Sequence, residues 1–171
     1  MLASLQHRGG RVGLIGLPAA LQPLSEGPSW TASDGWSAVA FCGGVIVLGA
    51  PATARRLDEP WGDGRVPDPL WAVLSVHDGI GPAGVVRAPF GAPRVLPREQ
   101  LAPLTHWMRF GEENILYAPA RWLRFTADPE GGWCVSEDGE VRRWSAADHR
   151  LGPPVEWGDV WRGLLAEWRR C

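Results

Sequence analysis

Residues 122–144 read WLRFTADPEGGWCVSEDGEVRRW and decide the fold, because three short extended-type runs alternate with two turn signals. The runs are residues 122–127, 133–136 and 140–144. Residues 128–132 hold Asp, Pro and two Gly, which are typical of a turn, and Asp138-Gly139 is among the strongest short hairpin signals. The segment therefore predicts a three-stranded antiparallel meander.

The register of the second hairpin depends on the length of its loop. A two-residue loop would place Trp133 directly opposite Trp144, as a cross-strand aromatic pair. A three-residue loop would instead place Val135 opposite Val141 and move Trp144 to the other face of the sheet. Both registers remain open at this point, because a slip of one residue changes every face assignment.

Two amphipathic helices are predicted, one in the middle of the chain and one at its end. The first spans residues 68–79, with Asp68 as N-cap, Pro69 at the first helical position and Gly79 as the residue that ends it. The second spans residues 159–170, with Asp159 as N-cap. Their apolar faces are Leu70, Val73, Leu74 and His77 in the first and Val160, Trp161, Leu164, Leu165 and Trp168 in the second.

The other segments predict shorter elements. Strands are expected at residues 11–17, 39–41, 45–48, 85–86 and 115–117, a short helix at 51–57, a helical turn at 97–101 and a loop at 25–35. Strands and helices do not alternate regularly, which indicates an α+β fold. We expect a single domain over residues 1–171, with an antiparallel or mixed sheet that ends in the meander and is packed by the mid-chain and C-terminal helices.

The composition narrows the classes of function. All 17 basic residues are Arg, 11 residues are Trp, and the net charge is −2. This charge disfavours a broad nucleic-acid footprint, so no nucleic-acid partner is expected. The apolar run at residues 12–24 is interrupted by Gly, Pro and Gln, so we predict neither a signal peptide nor a membrane span. A protein of the bacterial cytoplasm is expected.

Residues suited to catalysis are few and scattered. Cys42, His77 and His149 are the candidates for a nucleophile or a general base, but the chain has no nucleophile elbow, phosphate-binding loop or dinucleotide-binding loop. The three cysteines have neither the number nor the spacing of a disulfide framework or a local zinc site. We therefore predict a protein that is not an enzyme and holds no metal and no cofactor.

The meander also carries the clearest charge feature of the chain. Residues 125–141 contain five acids and no Arg, namely Asp128, Glu130, Glu137, Asp138 and Glu140. Together with Trp133 and Trp144 these acids are the candidate partner-binding residues, an acidic surface with aromatic anchors for a basic protein. The alternative interpretation is that the acids lie in ordinary solvated turns and the tryptophans simply cover the sheet.

Three segments resemble the SUKH superfamily. Residues 70–79, LWAVLSVHDG, are similar to its helix that starts just after a Pro and ends in a His/Asn-Asp/Gly-Gly turn. Residues 123–132, LRFTADPEGG, are similar to its F-x-x-D-x-x-G stretch, and residues 138–144, DGEVRRW, to its G-x-V-x-x-W strand. The closing helix is similar as well. The resemblance covers about residues 66–171, which would form the SUKH-like core, whereas residues 1–65 match poorly.

This resemblance implies a non-enzymatic α+β fold with no catalytic residues to carry over. Many bacterial members of the superfamily are immunity proteins, which bind a cognate toxin and block it, and others are regulatory or adaptor proteins. The expected function is therefore that of a bacterial immunity protein whose partner is a cognate protein toxin. A non-enzymatic regulatory or adaptor protein of a secretion or stress system is the alternative. The identity of the toxin and the oligomeric state stay open.

Overall fold

A computed structural model describes residues 6–7, 16–57, 64–83, 93–104, 122–148 and 150–170. Within these ranges the strands form two sheets in which every pairing is antiparallel, and two α-helices accompany them. The predicted α+β class is therefore confirmed. The strands predicted at 85–86 and 115–117, and most of the one predicted at 11–17, lie outside the described residues.

The first sheet draws most of its strands from the first half of the chain. Its spatial order is β1 (Gln6–His7), β2 (Ser29–Thr31), β3 (Ser37–Phe41), β4 (Gly44–Leu48), β5 (Ile80–Pro82), β6 (Arg94–Val95) and β9 (Thr126–Ala127). The predicted strands at 39–41 and 45–48 are confirmed as β3 and β4. The loop predicted at 25–35 is wrong in part, because β2 pairs along its length with β3.

The second sheet contains the predicted meander. Its spatial order is β12 (Arg150–Val155), β11 (Val141–Ser145), β10 (Gly131–Ser136), β8 (Trp122–Arg124) and β7 (Ala102–Pro103). Strand β12 was not predicted, and it contains Pro153 and Pro154, which cannot donate to a ladder. The strand forms nevertheless, since it lies at the edge of the sheet, where proline is tolerated.

Phe125 divides the strand predicted at 122–127 between the two sheets. Its N–H donates to the carbonyl oxygen of Trp133 at 3.0 Å, in the second sheet. Its carbonyl oxygen accepts from the N–H of Leu96 at 2.8 Å, directly after β6 of the first sheet. The Phe125 side chain is completely buried, so the two sheets join at a fixed, apolar position.

Both predicted helices form, with shifted boundaries. Helix α1 (Asp68–Leu74) follows Pro67, so Asp68 lies in its first turn instead of capping it, and the chain leaves the helix well before Gly79. Helix α2 (Trp157–Arg169) starts two residues earlier than predicted, so Asp159 also lies in the first turn. Neither N-cap residue makes a side-chain capping bond in the described part of the chain. All predicted apolar-face residues of both helices are buried.

The helix predicted at residues 51–57 is wrong. The segment is extended and pairs with the chain that precedes α1: the N–H of Leu57 donates to the carbonyl oxygen of Gly64 at 2.7 Å, and that of Val66 to Arg55 at 3.1 Å. These bonds replace the intrahelical ones. The predicted turn at 97–101 is confirmed as a 3₁₀ turn, Arg98–Gln100, whereas the 3₁₀ helix Ala19–Ser25 was missed.

One buried apolar cluster includes residues from both halves of the chain. Leu21 and Leu24 of the 3₁₀ helix belong to it, and so do Leu164 and Trp168 of α2, which packs against that helix. The Trp168 indole N–H also donates to the carbonyl oxygen of Pro93 at 2.6 Å. Residues 16–57 therefore share a core with the segment that resembles SUKH proteins.

Candidate protein-binding surface

The β10–β11 hairpin has the register of a three-residue loop. Val135 lies opposite Val141, Trp133 opposite Arg143, and Gly132 opposite Trp144. The Ser136 N–H donates to the carbonyl oxygen of Glu140 at 2.9 Å and closes the loop, in which Gly139 adopts a left-handed φ of +86°. Trp133 and Trp144 therefore lie on opposite faces of the sheet.

Trp144 belongs to a small interior cluster and not to the accessible surface. Its side chain is 3% exposed and packs with Leu104 and Cys134, which are completely buried. The guanidinium of Arg124 lies over its ring, 5.5 Å from the ring centroid. Because a side chain in this position cannot reach a partner without opening the sheet, we remove Trp144 from the candidate surface.

Trp133 is half-buried on the face that carries the main core. Its backbone N–H donates to the hydroxyl of Thr126 at 2.7 Å, and the Arg143 guanidinium lies 5.7 Å from the centroid of its ring. Arg143 also donates from Nη1 and Nη2 to the two carboxylate oxygens of Asp128, at 2.7 and 2.9 Å. The ring and the carboxylate are thus held by one arginine.

Asp128 is committed to this internal ion pair. Burial raises the pKa of Asp128, but the hydrogen bond and charge of Arg143 and the N–H of Glu130 outweigh it, so the pKa lies below its ordinary value of 3.8. Glu130 is exposed in the same turn. The negative charge at this end of the hairpin is therefore partly balanced by an arginine that already has a fixed position.

The other predicted acids lie at the opposite end of the hairpin. Glu137 is half-buried, while Asp138 and Glu140 are exposed, and Glu140 forms an ion pair with Arg142. At the usual rise of a strand, the length of β10 separates the two acidic ends by about 16 Å. The five acids thus form two separate groups, as expected from their positions in the two turns at either end of the hairpin.

A pocket opens beside the hairpin tip and adds two acids that the sequence argument missed. Its volume is about 470 Å³. It is lined by Gly139, Glu140, Val141, Pro154, Val155, Glu156, Trp157 and Asp159. We call this the hairpin-tip pocket, and we call the carboxylates of Glu137, Asp138, Glu140, Glu156 and Asp159 the hairpin-tip acids. None of the described lining residues is basic.

The strand register explains why Glu156 and Asp159 join this site. Val141 pairs with Val155, so the start of β11 lies beside the end of β12, and α2 begins immediately after β12. Residues some 16 positions apart in sequence are thereby neighbours. No local spacing signals this, and the only sequence hint was the role of Asp159 as an expected helix cap.

The tip is anchored to both helices. The indole N–H of Trp157 donates to the carbonyl oxygen of Gly139 at 2.9 Å. On its other side Gly139 faces α1, so that a Cβ at this position would lie 3.2 Å from Cγ of Pro69. The pocket is therefore built from backbone that three elements hold in place.

Of the three candidate catalytic residues, Cys42 and His77 lie in the described part of the chain, one exposed and the other buried. Cys42 lies in the exposed turn between β3 and β4 with a φ of +48°, and His77 is buried, 6% exposed, after α1. His149 lies outside the described residues. Burial strongly raises the pKa of the Cys134 thiol, which keeps this cysteine protonated. Among the residues that the structure describes, no group of His, Cys, Asp and Glu is arranged to hold a metal ion.

Comparison of the chain with known protein families, with curated proteins and with solved structures found no match. In the described ranges, neither α-helix has the length and apolar character needed to cross a bilayer. The candidate function therefore rests on the residues of the surface itself and on the sequence resemblance given above.

Proposed function

We propose that this protein is a bacterial immunity protein, which binds a cognate protein toxin in the cytoplasm and neutralises it by direct contact. The hairpin-tip acids form the centre of the binding surface. The observation that supports this most is the pocket lined by the three carboxylates of Glu140, Glu156 and Asp159, next to the loop that carries Glu137 and Asp138, in a chain whose net charge is only −2. The resemblance of residues 66–171 to the SUKH superfamily supports the same function.

The charge at the hairpin tip favours a basic partner. Glu140 and Asp159 form ion pairs there with Arg142 and Arg162, while the carboxylates of Asp138 and Glu156 are exposed. The tip therefore keeps a net negative charge, which attracts a positively charged surface and accelerates encounter at low ionic strength. A toxin whose binding face is basic therefore fits this surface better than a toxin whose binding face is acidic.

Rigidity of the tip favours tight binding. The hydrogen bond between Trp157 and Gly139 holds the hairpin on α2 before any partner arrives. A surface that is already ordered loses little conformational freedom when it binds, so more of the interaction free energy appears as affinity. We expect the complex to bury roughly 1,200–2,000 Å² in total, as stable protein complexes do.

The proposal is tested by producing this chain together with the protein encoded by the adjacent gene. We expect the two proteins to co-purify, and we expect cells that express the neighbour to survive only when this chain is present. Absence of both binding and protection contradicts the proposal. A stable complex with a partner that is not toxic contradicts it as well and favours the regulatory or adaptor function.

A further inference from the structure

We propose that the hairpin-tip pocket receives one arginine side chain of the protein partner. This inference rests on the proposed function for the existence of a partner, and it adds the chemistry of the group that the partner inserts. The pocket volume of about 470 Å³ falls within the roughly 300–1,000 Å³ that is usual for sites that enclose a ligand group.

The walls of the pocket suit the aliphatic part of a long side chain. The half-buried side chains of Val155 and Trp157 supply apolar surface, and the completely buried Val141, paired with Val155, lies behind them. Long basic side chains bury their methylene groups on apolar surface while the charged end stays at the rim. The wall therefore accommodates the stem of such a side chain without leaving a polar group unsatisfied.

The aromatic wall is fixed before binding. The ring of Trp157 lies 5.2 Å from that of Phe125 and 5.5 Å from that of Trp161, measured between centroids, and its N–H is bound by Gly139. A fixed indole is the best aromatic acceptor for a cation. The part of the indole that lines the pocket is thus held in place before a guanidinium group arrives.

Three of the lining residues carry carboxylates, and none of the described lining residues is basic. Glu140 and Asp159 already have arginine partners, whereas the exposed Glu156 side chain makes no hydrogen bond or ion pair with any described residue. A cation that enters the pocket therefore finds one carboxylate with unused acceptors.

Arginine fits this combination better than other side chains. An acidic group would face the like charge of Glu156, and a purely apolar group would desolvate that carboxylate without bonding to it. A lysine ammonium is a compact point charge, whereas a guanidinium is planar, stacks on an indole and donates two parallel hydrogen bonds to one carboxylate. The pocket presents an indole and a carboxylate together.

The test is a nuclear magnetic resonance titration of the full chain with the blocked tripeptide Gly-Arg-Gly, followed at the indole N–H of Trp157. A peptide with citrulline in place of arginine is the control, because it has the same shape and no charge. We expect the arginine peptide to bind with a Kd on the order of millimolar and the citrulline peptide at least roughly tenfold more weakly.

Two variants locate the binding. Glu156→Gln should raise the Kd of the arginine peptide about fivefold. It should not disturb α2, since Glu156 makes no side-chain capping bond with the described residues. Glu130→Gln makes the same chemical change at the far end of the hairpin, and it should leave the Kd within about twofold.

The outcomes separate this inference from the proposed function. No shift at Trp157 up to about 20 mM arginine peptide, or equal binding of both peptides, overturns the arginine pocket even if the neighbouring protein binds and is neutralised. Saturable, charge-dependent binding that weakens in Glu156→Gln supports the pocket even if no toxin partner is found. Equal effects of the two variants overturn it.

Discussion

The indole N–H of Trp157 and the carbonyl oxygen of Gly139 are joined by a hydrogen bond of 2.9 Å across 18 positions of sequence. This bond ties the first residue of α2 to the left-handed glycine of the β10–β11 loop. Trp157 and Gly139, which both line the hairpin-tip pocket, therefore move as one unit.

Trp157→Phe should loosen the tip while leaving the aromatic packing in place. Loss of one partly buried hydrogen bond lowers the free energy of unfolding by about 1 kcal/mol. We expect faster amide hydrogen exchange in residues 137–140, measured in the folded protein. Trp71→Phe is the control, because Trp71 is also half-buried and its indole makes no hydrogen bond with the described residues. Equal exchange rates in the two variants would contradict the coupling.

Asp128→Asn should make the stability depend less on pH in the acid range. The pKa of Asp128 is lowered in the folded protein, so its stabilising contribution is present above the ordinary value of 3.8 and disappears as the pH falls through the lower, folded-state value. At pH 7 we expect the variant to be about 1–2 kcal/mol less stable, because a partly exposed pair is screened by solvent.

The measurement for Asp128 is urea unfolding between pH 7 and pH 2. The difference between the variant and the original chain should shrink steadily below about pH 4. Glu130→Gln, two residues away and exposed, should show no comparable difference at pH 7. A difference for Asp128→Asn that stays constant down to pH 2 would refute the role of the ionised carboxylate.

Gly132→Ala should be strongly destabilising. A Cβ at this position would overlap the carbonyl oxygen of Thr126 and lie 3.0 Å from Nε of Arg124. The guanidinium of Arg124 is itself held in place by its contact with the ring of Trp144. Thr126 O is backbone and cannot move without shifting β9, so we expect a loss of about 2–3 kcal/mol.

Gly163→Ala is the matched comparison for this glycine substitution. Gly163 lies within α2, and a Cβ there would meet nothing within 4 Å. Because alanine has the higher helix propensity, we expect the variant to gain about 0.5–1 kcal/mol in free energy of unfolding. Thermal and urea unfolding of both variants, side by side, check the opposite signs.

Reversing the charge of Glu137 and Asp138 to Lys should slow association with the partner at low salt. The defect should shrink as the ionic strength rises, since screening removes long-range attraction between exposed charges. Stopped-flow association rates at several salt concentrations measure this. Glu130→Lys, at the distant end of the hairpin, should have a smaller effect, and an unchanged rate in the double reversal would exclude steering by these acids.

Much of the second sheet and both helical faces could be predicted because local signals determine them. Glycine turns and the 3.6-residue period place the meander and the stripes of α1 and α2. The hairpin register could not be predicted, because Asp138-Gly139 suits two loop lengths. The pairing of Ser136 with Glu140 decides it, and that pairing depends on the faces of neighbouring strands.

The features that sequence reasoning missed depend on tertiary contacts. Phe125 divides one extended run between two sheets because Leu96, far away in sequence, takes its carbonyl oxygen. Glu156 became part of the candidate site only through the pairing of Val141 with Val155. Trp144 was predicted to contact a partner because aromatic residues are common at interfaces. The observed register instead places its side chain in the interior of the protein.

Strand β12 has a consequence for behaviour at high concentration. An edge strand with a full row of amide donors is a template on which further chains add, and this is a common start of aggregation. Pro153 and Pro154 both lack an N–H, and because successive N–H groups of a strand point to opposite sides, one of the two missing donors is lost from the outer border of β12. This border of the sheet therefore resists recruitment of another extended chain, and copies of the protein can accumulate without polymerising along it.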